Sequence, residues 1–355
     1  MEGMGKIMDL SFYKGKTVFI TGHTGFKGSW MCKVLTILGA NVVGYALEPE
    51  SDPNLFSISG IASLITSIYG DIRDSDKIKN TIKKHKPDVA IHMAAQPLVR
   101  SSYENPAYTY EVNVMGTVNF LESVRQYPVK SVINVTTDKV YQNNEWEWGY
   151  REIDRLDGHD PYSNSKSCSE LVTSSYKKSF FSSMDIGVST CRAGNVIGGG
   201  DFAKDRIVPD CVRSALSKDV IIVRNPYSIR PYQHVLEPVC AYLLLAARQY
   251  EDGSLQGSYN VGPEDKDCVA TGLLVDLFCR SWGEEISWIN APHENAPHEA
   301  NFLKLDCSKI KSMLGWKARW GISDAVDQTV EWSKAWLDRK DMGKLMESQV
   351  RGYLS

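Results

Sequence analysis

Residues Thr17 to Gly28 read TVFITGHTGFKG, an apolar run that leads into three glycines and then into an amphipathic segment, Ser29 to Leu38. This order is typical of a strand, a tight turn and a helix. The glycines allow the backbone to turn sharply and to approach a pyrophosphate, which would face the N–H groups of the helix N-terminus. Their spacing is GxxGxxG rather than GxGxxG. A second strand-like run at Asn41 to Tyr45 completes a predicted βαβ unit.

Composition and charge narrow the class of protein. The chain has 355 residues, of which 43% are hydrophobic and 23% charged, and its net charge is -3. This length suits one large α/β domain with a smaller lobe, or two domains. The charge gives no general attraction to nucleic acid or to an anionic membrane, so we expect neither as a partner. The eight cysteines form no CxxC pair, and no run reaches the ~18 apolar residues of a spanning helix. A signal peptide's apolar region is also missing, so we expect a cytoplasmic enzyme.

Strand-like and helix-like segments alternate along the first half of the chain. The further strand-like runs are Ser67–Tyr69, Asp88–Met93, Val129–Thr136 and Ile186–Cys191, and the helix-like segments include Ser75–Lys84, Pro106–Gln126 and Tyr162–Phe180. This alternation predicts an α/β fold of the Rossmann type, with a doubly wound parallel sheet and a smaller C-terminal α/β substrate lobe. We place the dinucleotide-binding domain at residues 1–190 and the lobe mainly at 191–355, with some chain returning to the first domain.

Shorter elements follow the glycines at 198–200. We expect helices near Ile207–Leu216, Glu237–Arg248 and Thr271–Trp282, strands near Val220–Val223 and Arg230–Val235, and a loop at Asn290–Asn301. Ser323 is a candidate N-cap for the last predicted helix, in which Val326, Val330 and Leu337 recur at helical spacing.

The interval after the first helix favours NAD over NADP. No Lys or Arg lies between Lys33 and Arg73, where a ribose 2′-phosphate would need a cation. Glu48 follows Gly28 by twenty residues, about where an acid accepts a hydrogen bond from the ribose 2′-OH. A solvated loop acid is the alternative for Glu48.

Other residues of the same region complete the predicted cofactor site. Within the turn we assign Gly22, Thr24, Gly25, Phe26, Lys27 and Gly28 to the cofactor. Lys27 and His23 also lie within this turn, and either could bind a phosphate as a cation. Asp71 and Ile72 close another strand at the same sheet edge and are candidates to meet the adenine.

Tyr162 and Lys166, in the stretch PYSNSK, are one helical turn apart and therefore share a face. A phenol with a pKa near ~10 must lose about three units, or ~4 kcal/mol, to act as a base near neutral pH. A lysine ammonium at ~4 Å contributes about that much at an effective dielectric of ~20, and an oxidised nicotinamide would add to it. The alternative is an ordinary exposed pair.

The order of GxxGxxG, Thr137 after an apolar strand, and then Tyr162 and Lys166 resembles the short-chain dehydrogenase/reductase superfamily, in its extended, nucleotide-sugar-modifying branch. The resemblance covers almost the whole chain. It implies that Tyr162 takes the proton of the sugar 4-OH while C4 gives hydride to NAD, that Thr137 hydrogen-bonds this hydroxyl, and that Lys166 also holds the nicotinamide ribose. Further residues that match the cofactor site of this branch are Ala94, Ala95, Gln96 and Asn113.

Asp138 and Lys139 indicate which reaction this branch would perform here. A 4-epimerase needs only oxidation and re-reduction at C4, whereas a 4,6-dehydratase must also remove the C5 proton and expel the C6 hydroxyl. Asp138 is placed to protonate that hydroxyl. Most relatives have Glu where this chain has Lys139, so Lys139 is either a neutral base for C5 or a charged group that stabilises the enolate. A solvated pair at a strand end is the alternative.

Three stretches resemble the 4,6-dehydratases that act on CDP-glucose: TDKVY from Thr137, GGGDFAKDRIVPD from Gly198 and SIRPYQHVLEP from Ser228. The resemblance implies CDP-glucose as substrate, contacts from Asn195, Arg206 and Arg230 to its diphosphate, and a place in the synthesis of deoxysugars for a surface polysaccharide such as O-antigen.

The family resemblance also implies a homodimer in which Pro106–Gln126 and Tyr162–Phe180 form a four-helix interface. The histidines and cysteines lack metal-ligand spacing, so no metal is expected. Two other functions fit part of the pattern. A nucleotide-sugar 4-epimerase leaves Asp138 and Lys139 unexplained, and a non-catalytic NAD-binding regulator leaves Thr137, Tyr162 and Lys166 without a purpose.

Overall fold

The computed structural model describes residues 8–49, 51–283, 286–291 and 301–355. Its strands are β1 (Thr17–Thr21), β2 (Asn41–Ala46), β3 (Thr66–Tyr69), β4 (Val89–His92), β5 (Ser131–Val135), β6 (Gly187–Ala193), β7 (Val196–Ile197), β8 (Ile221–Val223), β9 (Ile229–Arg230), β10 (Gln233–His234), β11 (Ser258–Val261), β12 (Val269–Ala270) and β13 (Trp288–Asn290). Its helices are α1 (Phe26–Ile37), α2 (Leu55–Ile58), α3 (Ser75–His85), α4 (Val99–Glu104), α5 (Pro106–Tyr110), α6 (Gly116–Gln126), α7 (Pro161–Ser179), α8 (Ile207–Ser217), α9 (Leu236–Glu251), α10 (Thr271–Trp282), α11 (Ser308–Leu314), α12 (Ile322–Leu337) and α13 (Met342–Leu354).

The main sheet has seven strands in the order β11-β6-β5-β4-β1-β2-β3, and every neighbouring pair is parallel. This confirms the predicted Rossmann-type fold. The strand order reverses between β1 and β4, the switch point at which open parallel sheets bind ligands. The glycine turn after β1 therefore opens into that crevice.

Side chains of successive residues in β1 enter two different cores, because they point to opposite faces of the sheet. Val18 and Ile20 join a core with residues of α1, α9 and α13, whereas Phe19 joins a second core with residues of α3 and α6. Helices thus cover both faces of the sheet, which explains the nearly continuous apolar strands of the sequence.

The smaller lobe is built from three two-stranded sheets, β7 with β10, β8 with β13 and β9 with β12. Its own apolar core includes Val208 of α8, Phe278 of α10 and Val326 of α12. The predicted boundary near residue 190 stays a prediction. Strand β11, which follows the first part of this lobe, returns to the main sheet and pairs with β6.

Two local predictions were wrong, and the four strands β7, β11, β12 and β13 were missed. The run from Arg230 to Val235 is not one strand, because β9 and β10 pair with different partners. Ser323 is not an N-cap, since α12 begins at Ile322, whose N–H donates to Asp267 Oδ1 at 3.0 Å. Of the missed strands, β11 is the longest, with four residues. The loop predicted at Asn290–Asn301 lies mostly outside the described residues.

A π-helical segment, Glu111–Met115, joins α5 to α6 within the long predicted helix Pro106–Gln126. Among the residues that the structure describes, no helix has the length and apolar character to cross a membrane.

Candidate functional site

The glycine turn after β1 is shaped by two close backbone contacts. Gly22 has φ +80°, and a Cβ on it would lie 2.8 Å from the Ala94 nitrogen. A Cβ on Gly28 would lie 2.1 Å from the Gly22 oxygen. Gly25 precedes α1 and is different, because the nearest atom to its Cβ would be 3.5 Å away. Packing therefore requires Gly22 and Gly28, whereas a Cβ on Gly25, beside the helix N-terminus, would make only an ordinary van der Waals contact.

The two cationic candidates in the turn have different surroundings. His23 is buried, its Nε2 lies 2.7 Å from Ser67 Oγ, and burial lowers its pKa to about 4. It is therefore neutral near pH 7 and supplies no charge to a phosphate. Burial, together with the Arg206 charge, lowers the pKa of Lys27 to about 8, whereas Asp138 acts to raise it. Lys27 thus lies close to the groups predicted for catalysis.

The residues predicted for the adenosine end lie at the edge formed by β2 and β3. Glu48 is exposed just beyond the end of β2. The Asp71 carboxylate binds Arg73 at 2.7 Å, and Arg73 also binds Glu111 at 3.0 Å. Arg73 is therefore held by two acids at this edge. Ile72 is buried, and the roles of Glu48, Asp71 and Ile72 toward a cofactor stay predictions.

Asn113 joins the loop after β4 to helix α7. Its Oδ1 accepts from the Gln96 N–H at 2.9 Å, and its Nδ2 donates to Ser165 Oγ at 2.9 Å. The Ala94 N–H donates to Thr21 Oγ1 at 3.1 Å. These bonds fix the segment of Ala94, Ala95 and Gln96 against the turn. Contacts of this segment and of Asn113 with a cofactor stay predictions.

Thr24 and Phe26 complete the turn. Thr24 Oγ1 donates to the Leu47 carbonyl at 3.0 Å, which ties the turn to the end of β2. Phe26 is the first residue of α1 and is half-buried. Both lie beside the crevice, and their predicted contacts are untested.

Tyr162 and Lys166 lie one turn apart near the start of α7, which Asp160 caps by accepting the Ser163 N–H at 3.0 Å. Lys166 is buried, and its Nζ donates to the Val135 carbonyl at 3.2 Å. Burial lowers its pKa to about 8. Burial also raises the pKa of Tyr162 to about 12. We expected this pKa to be lowered by Lys166; in the structure burial outweighs the lowering that comes from Thr137 and Arg206.

Asp138 lies just after β5 and is 1% exposed. Its Oδ1 accepts from Thr137 Oγ1 at 3.1 Å, and its buried Oδ2 has no hydrogen-bond partner among the described residues. Burial raises the pKa of this carboxyl against the opposing charges of Lys139, Arg230 and Lys27. The group is thus a buried acid and not half of a solvated pair. Lys139 beside it is half-buried.

The residues predicted to hold the substrate diphosphate surround these catalytic candidates. Arg206 lies close enough to Tyr162 to lower its pKa, and Arg230 acts in the same way on Asp138. The Arg206 guanidinium is 2.8 Å from Asp201 Oδ2. Asn195 has φ +41°, and its Oδ1 is buried without a hydrogen-bond partner among the described residues. Several cations therefore converge on one crevice.

Sequence reasoning missed a buried ion pair behind the site. Glu170 binds Arg192 at 2.8 Å and also accepts from Thr136 at 2.5 Å and Thr190 at 2.7 Å. Glu170 follows Lys166 by one helical turn and acts to raise its pKa. That spacing was visible in the sequence. The position of Arg192, by contrast, depends on the pairing of β5 with β6.

Across the described residues, no group of three or more His, Cys, Asp or Glu side chains is arranged to hold a metal ion. The acids and cations of the crevice instead suit proton transfer and the binding of phosphates.

Comparison with known proteins places these features in a family. Residues 19–329 match the family model described as GDP-mannose 4,6 dehydratase. The chain is 49% identical to CDP-glucose 4,6-dehydratase of Salmonella typhimurium, over 98% of this chain and 99% of that protein. It is 25% identical to CDP-paratose 2-epimerase of Salmonella typhi, over 90% of this chain and 99% of the relative.

Solved structures share the fold. The dTDP-glucose 4,6-dehydratase of Bacillus anthracis, in complex with NAD, superposes with a TM-score of 0.76 at 20% identity, covering 94% of this chain and 100% of that one. The UDP-glucose 4-epimerase of Thermotoga maritima superposes with a TM-score of 0.78 at 20% identity, covering 90% and 99%. At this level of identity, the likeness establishes the architecture alone.

Proposed function

The chain belongs to the GDP-mannose 4,6 dehydratase family, and from this membership we propose that it converts CDP-glucose to CDP-4-dehydro-6-deoxyglucose with NAD as its cofactor. The resemblance to nucleotide-sugar 4,6-dehydratases is confirmed by a relative that shares half of its residues. The reaction is an internal redox cycle with loss of one water molecule.

The observation that carries the proposal is the buried carboxyl of Asp138. It lies beside Thr137, is almost fully shielded from solvent, and has a raised pKa. Burial favours the protonated form of such a carboxyl, and the protonated form can give its proton to a leaving hydroxyl. Exchange of configuration at C4 alone would have no use for such an acid, so Asp138 favours the dehydratase over the epimerase.

The first step acts at C4 of the sugar. Tyr162 takes the proton of the 4-OH, and Thr137, at the end of β5, hydrogen-bonds the same hydroxyl. NAD, when bound, supplies the acceptor that takes hydride from C4 and later returns it to C6. Because the pKa of Tyr162 is about 12 in its buried setting, the phenol needs added positive charge nearby to act as a base. The ammonium of Lys166 and an oxidised nicotinamide are the sources of that charge.

The second step removes water across C5 and C6. A C4 ketone acidifies the C5 hydrogen, which is otherwise far too weak an acid for any side chain. Asp138 protonates the C6 hydroxyl as its C–O bond breaks, and water leaves. Lys139 either accepts the C5 proton as a neutral amine or, as an ammonium, stabilises the enolate while a different base accepts that proton. The returned hydride at C6 and a proton at C5 then complete the product.

The crevice fits a dinucleotide. Gly25, with no side chain at the start of α1, would let a pyrophosphate approach the helix N-terminus, and no basic side chain occurs from residue 34 to residue 72 to receive a 2′-phosphate. Among the residues at the β2–β3 edge, Glu48 would accept from the ribose, and Asp71 and Ile72 would meet the adenine. The relative of known structure from Bacillus anthracis was solved with NAD.

The substrate diphosphate would lie between Asn195, Arg206 and Arg230. Both arginines already affect the pKa values of the catalytic groups, so a diphosphate bound there would place the sugar next to them. Guanidinium groups bind such oxygens in a bidentate manner. Cytosine as the base is supported by the relative from Salmonella typhimurium.

We further propose a homodimer with a four-helix interface. Met115, in the π-helical segment between α5 and α6, is 52% exposed, and Leu171 of α7 is 57% exposed, so the segment and α7 each present an apolar side chain outward. A cytoplasmic location agrees with the eight cysteines, all of which are free thiols. The product would serve the synthesis of deoxysugars for a surface polysaccharide.

Mass spectrometry of the sugar product tests the reaction. The protein, NAD and CDP-glucose are mixed in heavy water, and we expect a product that has lost one water and carries one solvent deuteron at C5. An unchanged mass would refute dehydration of this substrate. A product of unchanged mass whose sugar has become galactose would establish the epimerase instead.

A further inference from the structure

The residue that follows β6, Gly194, lies directly against the Asp138 carboxylate. A Cβ on Gly194 would be 1.6 Å from Asp138 Oδ2, 2.1 Å from its Cγ and 2.7 Å from its Oδ1. Atoms cannot approach that closely without a bond. Any residue other than glycine at this position would therefore displace the carboxylate.

The backbone gives no other reason for a glycine here. Gly194 is not among the residues with positive φ, so alanine could adopt its conformation without strain. The three atoms nearest to a Cβ there all belong to the Asp138 side chain, which is the movable end of a flexible group. We conclude that position 194 is shaped by Asp138 and not by the turn.

The carboxylate has little else to hold it in place. Its one hydrogen bond among the described residues comes from Thr137, and Oδ2 is buried without a partner. Lys139, Arg230 and Lys27 all act to favour its charged form. A displaced carboxylate would move among these cations and lose the buried setting that raises its pKa.

We propose that Gly194 is a positioning residue that keeps Asp138 aimed at the C6 hydroxyl and thereby commits the enzyme to dehydration. This inference rests on the dehydratase function proposed above. Thr137, Tyr162 and Lys166 are the groups proposed to act on C4, and none of their atoms is among the three nearest to a Cβ on Gly194. The two halves of the reaction are therefore separable at this glycine.

Gly194→Ala is the first test. C4 oxidation, followed as the near-ultraviolet absorbance of the reduced nicotinamide and as trapped 4-ketone, should stay within about tenfold of the wild type. Dehydrated product should fall by about 10²-fold or more, the usual contribution of a positioned acid. Without the Asp138 proton the C6–O bond stays intact, so no water is lost. Gly253→Ala is the matched control, because a Cβ there meets no atom within 4 Å, and both steps should be unchanged.

A thermal double-mutant cycle tests the contact without turnover. Gly194→Ala should lower the unfolding midpoint in the wild-type background and have no effect when combined with Asp138→Ala, because the crowding carboxylate is then gone. The cycle remains informative if Gly194→Ala alone does not fold, since the double variant should fold. An equal loss in both backgrounds would overturn the proposal, as would normal dehydration by Gly194→Ala.

If the wild-type protein does not dehydrate CDP-glucose, the proposed function fails, and the cycle still decides whether Gly194 positions Asp138.

Discussion

Glu170 and Arg192 form an ion pair of 2.8 Å between α7 and β6, with side chains that are only 2% and 3% exposed. The pair lies one helical turn behind Lys166 and binds the threonine that precedes Thr137. It therefore connects the stability of the fold to the electrostatics of the site.

Glu170→Gln should destabilise the protein, since it leaves the Arg192 charge buried without its partner. Loss of one member of a buried pair costs about 3–5 kcal/mol, which urea unfolding would measure. Glu264→Gln, which breaks a half-exposed pair with Lys311, should cost less than about 1 kcal/mol. Equal losses in the two variants would mean that burial of the first pair does not matter.

In any Glu170→Gln enzyme that folds, the pKa of Lys166 should fall further below about 8. The loss of activity that accompanies rising pH should therefore begin at a lower pH than in the wild type.

Tyr162→Phe should abolish turnover while leaving binding intact. The change removes only the phenolic oxygen, so C4 oxidation should fall by about 10²- to 10⁴-fold, the range for a lost general base. Calorimetry should show unchanged affinity for NAD and CDP-glucose. A protein that binds NAD but shows no turnover even with Tyr162 present would instead be a regulator.

Lys139→Arg separates the two roles of Lys139. Its half-buried position beside Asp138 favours a charged role, and arginine keeps the charge but cannot act as a base. We therefore expect Lys139→Arg to retain solvent exchange at C5 and Lys139→Ala to lose it, as followed by deuterium incorporation. Loss of exchange in both variants would assign Lys139 as the base.

Asp138→Asn should stabilise the protein while stopping dehydration. Burial raises the native pKa of Asp138 above its unfolded value of 3.8. The native state thus binds the proton more tightly, and stability falls as pH rises from 3.8 through the native pKa. The asparagine does not titrate, so the unfolding midpoint of the variant should exceed that of the wild type at pH 8 and equal it below about pH 4. A gain of equal size at both pH values would rule out titration of Asp138 as the cause.

The sequence was informative where the determinants are local. The glycine turn, the spacing of Tyr162 and Lys166, and Asp138 after β5 are each contained in a short stretch, so their placement followed from the pattern. The contact of Gly194 with Asp138 and the pair of Glu170 with Arg192 depend on which strands are neighbours. The alternation of strands and helices along the sequence does not specify that order. Strand β11 was missed because Ser258–Val261 is short and follows the first part of the lobe.

Competition between neighbouring groups explains the local errors. Ser323 has the chemistry of a cap, but α12 starts before it because Asp267 and Asp324 bind the N–H groups of Ile322 and Gly321. Asp324 lies in the first turn of α12, whereas Asp267 is 55 residues from Ile322 in the sequence. The pKa of Tyr162 differed from expectation because its burial was not visible in the pattern.

The late return of β11 to the sheet has a consequence for synthesis on the ribosome. When β6 emerges, its outer edge has no partner until Ser258–Val261 follows, a delay of several seconds at about 5–20 residues per second. An open strand edge invites pairing with other chains, so the nascent protein needs protection during this interval. Helix α1, among the first elements made, likewise waits for α13, the last, to cover it. The packing around α1 is therefore complete only once Met342–Leu354 has been made, and fragments cut near residue 190 should aggregate instead of binding NAD.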